Sequence, residues 1–250
     1  MYNSPKSFCP IVLLNITEKL FKKMIRKRLQ LQFLTISNNF IYSCQLDSLK
    51  HKSIINAGVA LTYFIWLGWV KNLFTNILVF DIVQFFPLLN HQLLLLIIDK
   101  VGLDQKVLAF FKNYLVRRKT KYLWNSFQSL FCNVDISVGQ GSALLPILST
   151  LYLSSIFHIL EKWLKILKIP ISIISFVDNG LFISQNKSIS HSNANLFCNY
   201  NIISSLLMKF ELVVEYGKTE VFHFSRSHKA FNPLLDLIHI GDPVLLPKTT

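Results

Sequence analysis

Ser175-Phe-Val-Asp-Asn-Gly-Leu-Phe-Ile-Ser184 sets two apolar runs on either side of Asp178-Asn179-Gly180. Asn-Gly is the strongest short-range signal of a two-residue hairpin turn, because both residues tolerate positive φ. The spacing therefore predicts strands over 171–177 and 181–185 joined at Asn179-Gly180. An acid at the tip of so apolar a ribbon reads either as a turn residue or as a group placed there to hold something.

Upstream, Asn76-Ile-Leu-Val-Phe-Asp81 is a short β-branched run ending in an acid, as a buried strand would. Helices are expected over 92–101 and 105–115, then a loop to Gly141, then a long helix over 146–168. Downstream, 193–210 reads as a helix and 219–224 as a last strand. Near the N-terminus, Lys22, Lys23, Arg26, Lys27 and Arg28 fall among apolar residues at helical spacing, predicting a basic amphipathic helix over 19–34. The succession strand, helices, strand, strand, helix, strand is that of a ferredoxin-like split βαβ sheet, an α+β fold with an antiparallel sheet and packed helices. In that topology the first and third strands are neighbours, so Asp81 and Asp178 should converge on one sheet edge.

Composition narrows what such an edge could serve. The chain has 250 residues, 52% of them hydrophobic, enough for a sizeable core. Lys and Arg number 26 against 13 Asp and Glu, and the resulting formal charge of +13 favours polyanions. Cys9, Cys44, Cys132 and Cys198 show no CxxC spacing, which argues against zinc and against a disulfide framework and reads as reduced intracellular thiols. The run Ile11-Val-Leu-Leu14 is too short for a secretory signal and is followed by Asn15 and Glu18, so secretion is disfavoured and an intracellular protein is expected, the nucleus being one compartment open to it. Residues 53–70 and 142–160 carry no formal charge and approach the roughly 20 residues that span a bilayer, making a multi-pass membrane protein the minor reading. Asn56, Gly58 and Gly68 in the first, and Pro146 and His158 in the second, suit buried helices better, so no stable membrane association is expected.

Paired acids beneath a basic surface suit Mg²⁺ or Mn²⁺, which takes carboxylate, water and substrate phosphate. Two such ions about 3.5–4 Å apart activate an attacking hydroxyl and stabilise a leaving pyrophosphate. Arg117, Arg118, Lys119 and Lys121 interleave with Tyr114, Tyr122 and Trp124, a mixture suited to phosphate contact and base stacking or simply to an exposed basic loop.

Four motifs then fall into order: Phe80-Asp-Ile-Val-Gln-Phe-Phe-Pro87, Gly139-Gln-Gly-Ser-Ala-Leu-Leu-Pro-Ile-Leu148, Phe176-Val-Asp-Asn179 and Gly217-Lys-Thr-Glu220. They resemble the palm motifs of reverse transcriptases. The chain looks like the polymerase of a non-LTR (LINE-type) retrotransposon, the fungal kind being one candidate, over nearly its whole length. Pro10-Ile-Val-Leu-Leu-Asn15 and residues 45–53 are similar to that family's fingers motifs. The resemblance implies a polymerase palm over 73–250 with inserted fingers helices, partial helical fingers over 1–72, and no thumb.

It also implies roles. Asp81 and Asp178 would ligate the catalytic metals, with Asn179 completing the catalytic motif, and the partners would be an RNA template, a DNA primer and deoxynucleoside triphosphates. Phe86 matches the aromatic that packs on the sugar and excludes a 2′-hydroxyl, unless it is core, since Phe85 adjoins it. Gln140 and Gly141 would contact template and nucleotide, although Gly139-Gln-Gly141 alone is a glycine turn before a helix. Lys218 would neutralise pyrophosphate charge, its alternative being a solvated turn residue.

Departures accompany the matches. Asn179 stands where the family has a second acid, and an amide is a weaker oxygen ligand. Cys9 replaces an arginine, Leu145 a serine, and Glu211 a glycine. The expectation is an impaired RNA-directed DNA polymerase fragment or, as a second reading, a noncatalytic nucleic-acid-binding remnant.

Overall fold

The computed structural model describes residues 11–35, 40–47 and 51–226. Cys9, Pro10, residues 48–50 and the segment from 227 onward lie outside the described residues. The chain divides into two compact units. The first takes the described residues within Met1–Phe40 and Gln84–Tyr152, the second those within Ile41–Val83 and Leu153–Thr250.

The second unit is built on an antiparallel sheet of β1 (Phe74–Phe80), β6 (Ile171–Phe176), β7 (Asn179–Asn186) and β8 (Glu220–Phe224). Their order is β6-β7-β1-β8, the split βαβ arrangement expected. Period-two alternation gives the sheet two apolar faces. Thr75, Ile77 and Val79 of β1 share a face with Leu181 and Ile183 of β7, and this face packs on Ala57, Ala60, Leu61 and Phe64 of α2 (Ile54–Val70). Asn76, Leu78 and Phe80 point the other way with Phe182 and Ser184, toward α6 (Ile189–Lys209). There Asn76 Nδ2 donates to Asn193 Oδ1, and Ser192 Oγ donates to Ser184 O at 2.9 Å, two bonds that tie α6 to this face of the sheet. Outside β6, Leu46 N donates to Ser175 O at 2.8 Å and Ser175 N to Cys44 O at 3.0 Å, adding a short parallel pairing.

The hairpin forms, but its turn is not Asn179-Gly180. Phe176 pairs with Asn179, so the two turn residues are Val177 and Asp178, with Val177 at φ 57°. Gly180 is needed inside β7 instead, because an added Cβ would lie 2.2 Å from Cζ of Phe80, the residue paired with it across the ladder. A local turn signal cannot register a ring arriving from a strand a hundred residues earlier in the chain.

At the end of α6, Glu211 adopts φ 58°. Leu212 N donates to Leu207 O at 3.0 Å and Glu211 N to Met208 O at 3.1 Å, the two bonds of a Schellman motif. Its left-handed residue is ordinarily glycine, the residue expected at this position, and a side chain there costs about 1 kcal/mol. Glu211→Gly should therefore raise the stability of the chain by about 1 kcal/mol. Chemical denaturation would show it as a higher midpoint at unchanged slope; a lower midpoint would mean that contacts of the Glu211 side chain outweigh the backbone strain.

No helix among the described residues is long and apolar enough to cross a membrane. The outward face of α2 nevertheless exposes Ile55, Val59, Tyr63, Trp66 and Val70, spaced as one helical stripe.

The first unit carries α1 (Ile16–Thr35), α3 (His91–Lys100), α4 (Gln105–Leu115) and the start of α5 (Leu145–Leu167). Asn15 caps α1, its Oδ1 accepting Glu18 N at 2.7 Å. The basic helix is not solvated all round: Lys22 is buried, paired with Glu18 and seated over the ring of Tyr114 at 4.6 Å. Phe21 meets Phe110 edge to face at 5.5 Å. The loop expected before Gly141 contains a two-stranded ribbon instead. In it β2 (Arg118–Thr120) pairs with β5 (Cys132–Val134), and β3 (Leu123–Trp124) with β4 (Phe127–Gln128). Strands of two and three residues are too short to show a period.

Candidate active site

Asp81 follows the last residue of β1. Continuing the β1–β7 register one step beyond Phe80–Gly180 sets it across from Asn179, with Asp178 next at the turn. The two acids therefore share the end of the sheet that the strand order predicts. On its other side β1 pairs with β8 as far as Val79–Glu220, after which Ile82 bridges Val214. Glu215 N donates to Asp81 O at 2.8 Å and Val83 N to Val213 O at 2.9 Å. Residues between those two pairing segments loop out through a 3₁₀ turn, Tyr216–Lys218, which carries Lys218 back over Asp81.

Both oxygens of Asp81 are engaged. Oδ1 accepts Ile82 N at 2.8 Å, and Oδ2 accepts Lys218 Nζ at 2.6 Å. Asp81 is largely enclosed, its side chain 14% exposed, while that of Lys218 is 67% exposed. The bond and charge of Asp81 hold the Lys218 ammonium above its usual pKa. Burial pushes the Asp178 carboxyl above its usual range; its own amide opposes that, the charges of Asp81 and Asp47 add to it, and Lys218 relieves it. Asn179 Nδ2 donates to Asp178 Oδ1 at 3.3 Å, so the amide here acts as a donor to the neighbouring acid.

Asp47 is the acid that sequence reasoning missed. It lies in the 45–53 stretch singled out as a fingers motif, but no periodic pattern marks it, and only the pairing of Cys44–Leu46 along β6 brings it within electrostatic reach of Asp178. Among the described residues no group of three or more His, Cys, Asp or Glu gathers as a metal site. The donor set fits Mg²⁺ in kind: carboxylate oxygens are its protein ligands, and one or two carboxylates with waters and substrate phosphates commonly suffice. Asp81 and Asp178 are the residues that would hold it, once Lys218 moves off Oδ2.

The remaining predicted residues belong to the first unit. Phe85 is 1% exposed and Phe86 half-buried, their rings 5.3 Å apart, so Phe85 is the core member of the pair and Phe86 the accessible one. Gly139 and Gly141 adopt φ 84° and 95°, conformations that favour glycine. Gln140 O between them accepts Val12 N at 2.8 Å, and a Cβ on Gly139 would lie 2.8 Å from Val12 Cγ2. Val12 thus straps this turn. Arg118 is committed within the unit: it donates to Ser137 O at 2.8 Å and lies 5.1 Å over the Tyr114 ring. Arg117, Lys119 and Lys121 are exposed, Lys121 sitting 4.3 Å over the Phe131 ring.

A ferredoxin-like antiparallel sheet with packed helices, carrying acids at the end of its first strand and at the turn between its second and third, is a reverse-transcriptase-like fold. Solved telomerases, reverse-transcriptase-related enzymes, share it. Apo telomerase from Candida tropicalis truncated from its C-terminal domain superposes at a TM-score of 0.61 and 16% identity, over 85% of this chain and 42% of that one. The C. tropicalis enzyme in complex with a TWJ fragment of telomeric RNA gives 0.63 at 16% identity, over 87% and 35%. The corresponding Candida albicans complex gives 0.52 at 14%, over 86% and 36%. The chain thus spans between 35% and 42% of the length of these telomerases. At such identity the likeness concerns the fold. No family model matches the chain, and no curated protein matches its sequence.

Proposed function

We propose that the chain is the nucleotidyl-transfer region of an RNA-directed DNA polymerase of the non-LTR retrotransposon kind, weakened by Asn179. The observation that carries this reading is the meeting of Asp81 with the Asp178 turn at one sheet end, in a fold shared with telomerases. Asp81 and Asp178 would hold Mg²⁺ or Mn²⁺, which when bound supplies activation of a primer hydroxyl and neutralisation of phosphate charge. Lys218, the exposed cation paired with Asp81, would trade that acid for a phosphate of the incoming deoxynucleoside triphosphate. Phe86 would meet the sugar, and Gln140 and Gly141 the template and nucleotide. Arg117, Lys119 and Lys121 would neutralise backbone phosphates of the RNA template or DNA primer, with Arg118 holding the base of their ribbon. In this reading residues 1–72 are partial fingers and 73–250 a palm with inserted fingers helices.

Primer extension on an RNA template in Mg²⁺ or Mn²⁺ tests it: slow incorporation is expected, falling to background in Asp81→Ala. Incorporation unaffected by that change would overturn the metal assignment. A second reading, a noncatalytic nucleic-acid-binding remnant, is favoured by the amide at 179 and by the lysine on Asp81 Oδ2. It predicts salt-sensitive RNA binding without incorporation, and robust extension excludes it.

A further inference from the structure

We infer that the tip of the β2–β5 ribbon is a stacking platform for the bases of single-stranded RNA, with Tyr122, Trp124 and Phe127 as its rings. The inference rests on the nucleic-acid reading above and names the contact that would make it. Tyr122 and Trp124 occupy alternate positions and so share a face of their strand, and Phe127 pairs directly across from Trp124. Trp124 and Phe127 are 60% and 63% exposed, and Leu123, Leu130 and Phe131 are exposed beside them. Asn125 at φ 52° closes the tight turn that presents the two rings. Ser129 N donates to Tyr122 O at 3.0 Å, and Tyr122 N to Ser129 Oγ at 2.9 Å, so one backbone bond and one serine side chain hold the ribbon together just inward of the tip.

Charge selects the occupant. Between Asp104 and Asp135 there is no acid, while Lys106, Lys112, Arg117, Arg118, Lys119 and Lys121 are all cationic. A partner must answer apolar rings and clustered positive charge together. Single-stranded RNA does, offering a π-face with every base and an anion with every phosphate. A duplex offers only the anion, because its bases are already stacked and its deep groove is closed to side chains. The rings therefore distinguish single strands from duplexes, and the cations do not.

The test measures binding of the full chain to a labelled oligouridylate and to an RNA duplex, across salt concentrations and with EDTA present, so that no metal or nucleotide chemistry enters. Trp124→Ala and Phe127→Ala should each weaken oligouridylate binding by about tenfold. Duplex affinity and the salt slope should stay unchanged, and Trp124→Phe should restore most of the loss. Lys119→Ala and Lys121→Ala should instead weaken both ligands and lower the single-strand salt slope by about 0.7 each. Circular dichroism checks that each variant is folded. Ring variants that bind oligouridylate as tightly as the parent overturn the inference and assign the rings to a protein surface, while leaving the polymerase reading standing. Equal losses on both ligands also overturn it, and a parent chain that binds neither RNA overturns both readings.

Discussion

Gly180→Val should destabilise the chain by about 3 kcal/mol or more, enough to unfold much of it. The space a Cβ needs is already filled: Phe80 Cζ and Cε1 lie 2.2 and 2.3 Å from where it would sit. The ring has nowhere to retreat, being 1% exposed and held 4.8 Å from the Phe182 ring. Either β1 and β7 separate, breaking ladder bonds next to Asp81, or Phe80 leaves the core, which costs on the order of 3 kcal/mol in lost burial. Chemical denaturation measures the loss, and a double-mutant cycle assigns it. Phe80→Ala removes the obstruction, so Gly180→Val in that background should cost at least about 1 kcal/mol less than it does alone. Additive losses would show that the ring is not what excludes the side chain.

The second large effect is expected from Asn179→Asp. A third carboxylate would stand beside Asp178, whose acid is already pushed up by burial and by the charges of Asp81 and Asp47. A carboxyl raised above its unfolded value binds its proton more tightly in the folded chain, so it stabilises the fold at low pH, and that contribution is lost as pH rises above the ordinary carboxylate range. The new charge adds to this loss near neutral pH when no cation is bound. A divalent cation reverses it, because affinity for hard cations grows with ligand charge. In the variant, Mn²⁺ should bind about tenfold tighter than in the parent, and saturating metal should raise the melting temperature. Calorimetric titration and thermal melts with and without Mn²⁺ read both. A variant whose melting ignores the metal would remove Asp81 and Asp178 from consideration as ligands.

The order of elements was enough to place β1 beside β7, since strand order in a split βαβ unit follows from succession alone. Helix α5 and the strands of the hairpin were legible from apolar runs and from Pro170 for the same reason: they are long enough to show a period. What escaped depends on contacts between distant residues. The turn falls at Val177-Asp178 because Phe176 pairs with Asn179, and Gly180 is required for the space that Phe80 fills rather than for the turn. The partnership of Lys218 with Asp81 depends on an excursion between two pairing segments, which carries no pattern of its own. Asp47 is brought near Asp178 by backbone bonds of Cys44 and Leu46 to Ser175. The ribbon at Trp124 and Phe127 consists of strands too brief to be heard above the surrounding polar residues. Glu211 is the opposite case: the glycine expected there is the residue its left-handed backbone favours.

The outward stripe of α2 has a colloidal consequence. A formal charge of +13 keeps copies of the chain apart at low ionic strength, but the helix from Ile54 to Val70 contributes no charge to that repulsion. As added electrolyte shortens the reach of the repulsion toward the size of a side chain, adhesion between those aliphatic and indole surfaces takes over. Solubility of the purified chain should then fall with salt, the reverse of what its basic character alone would suggest.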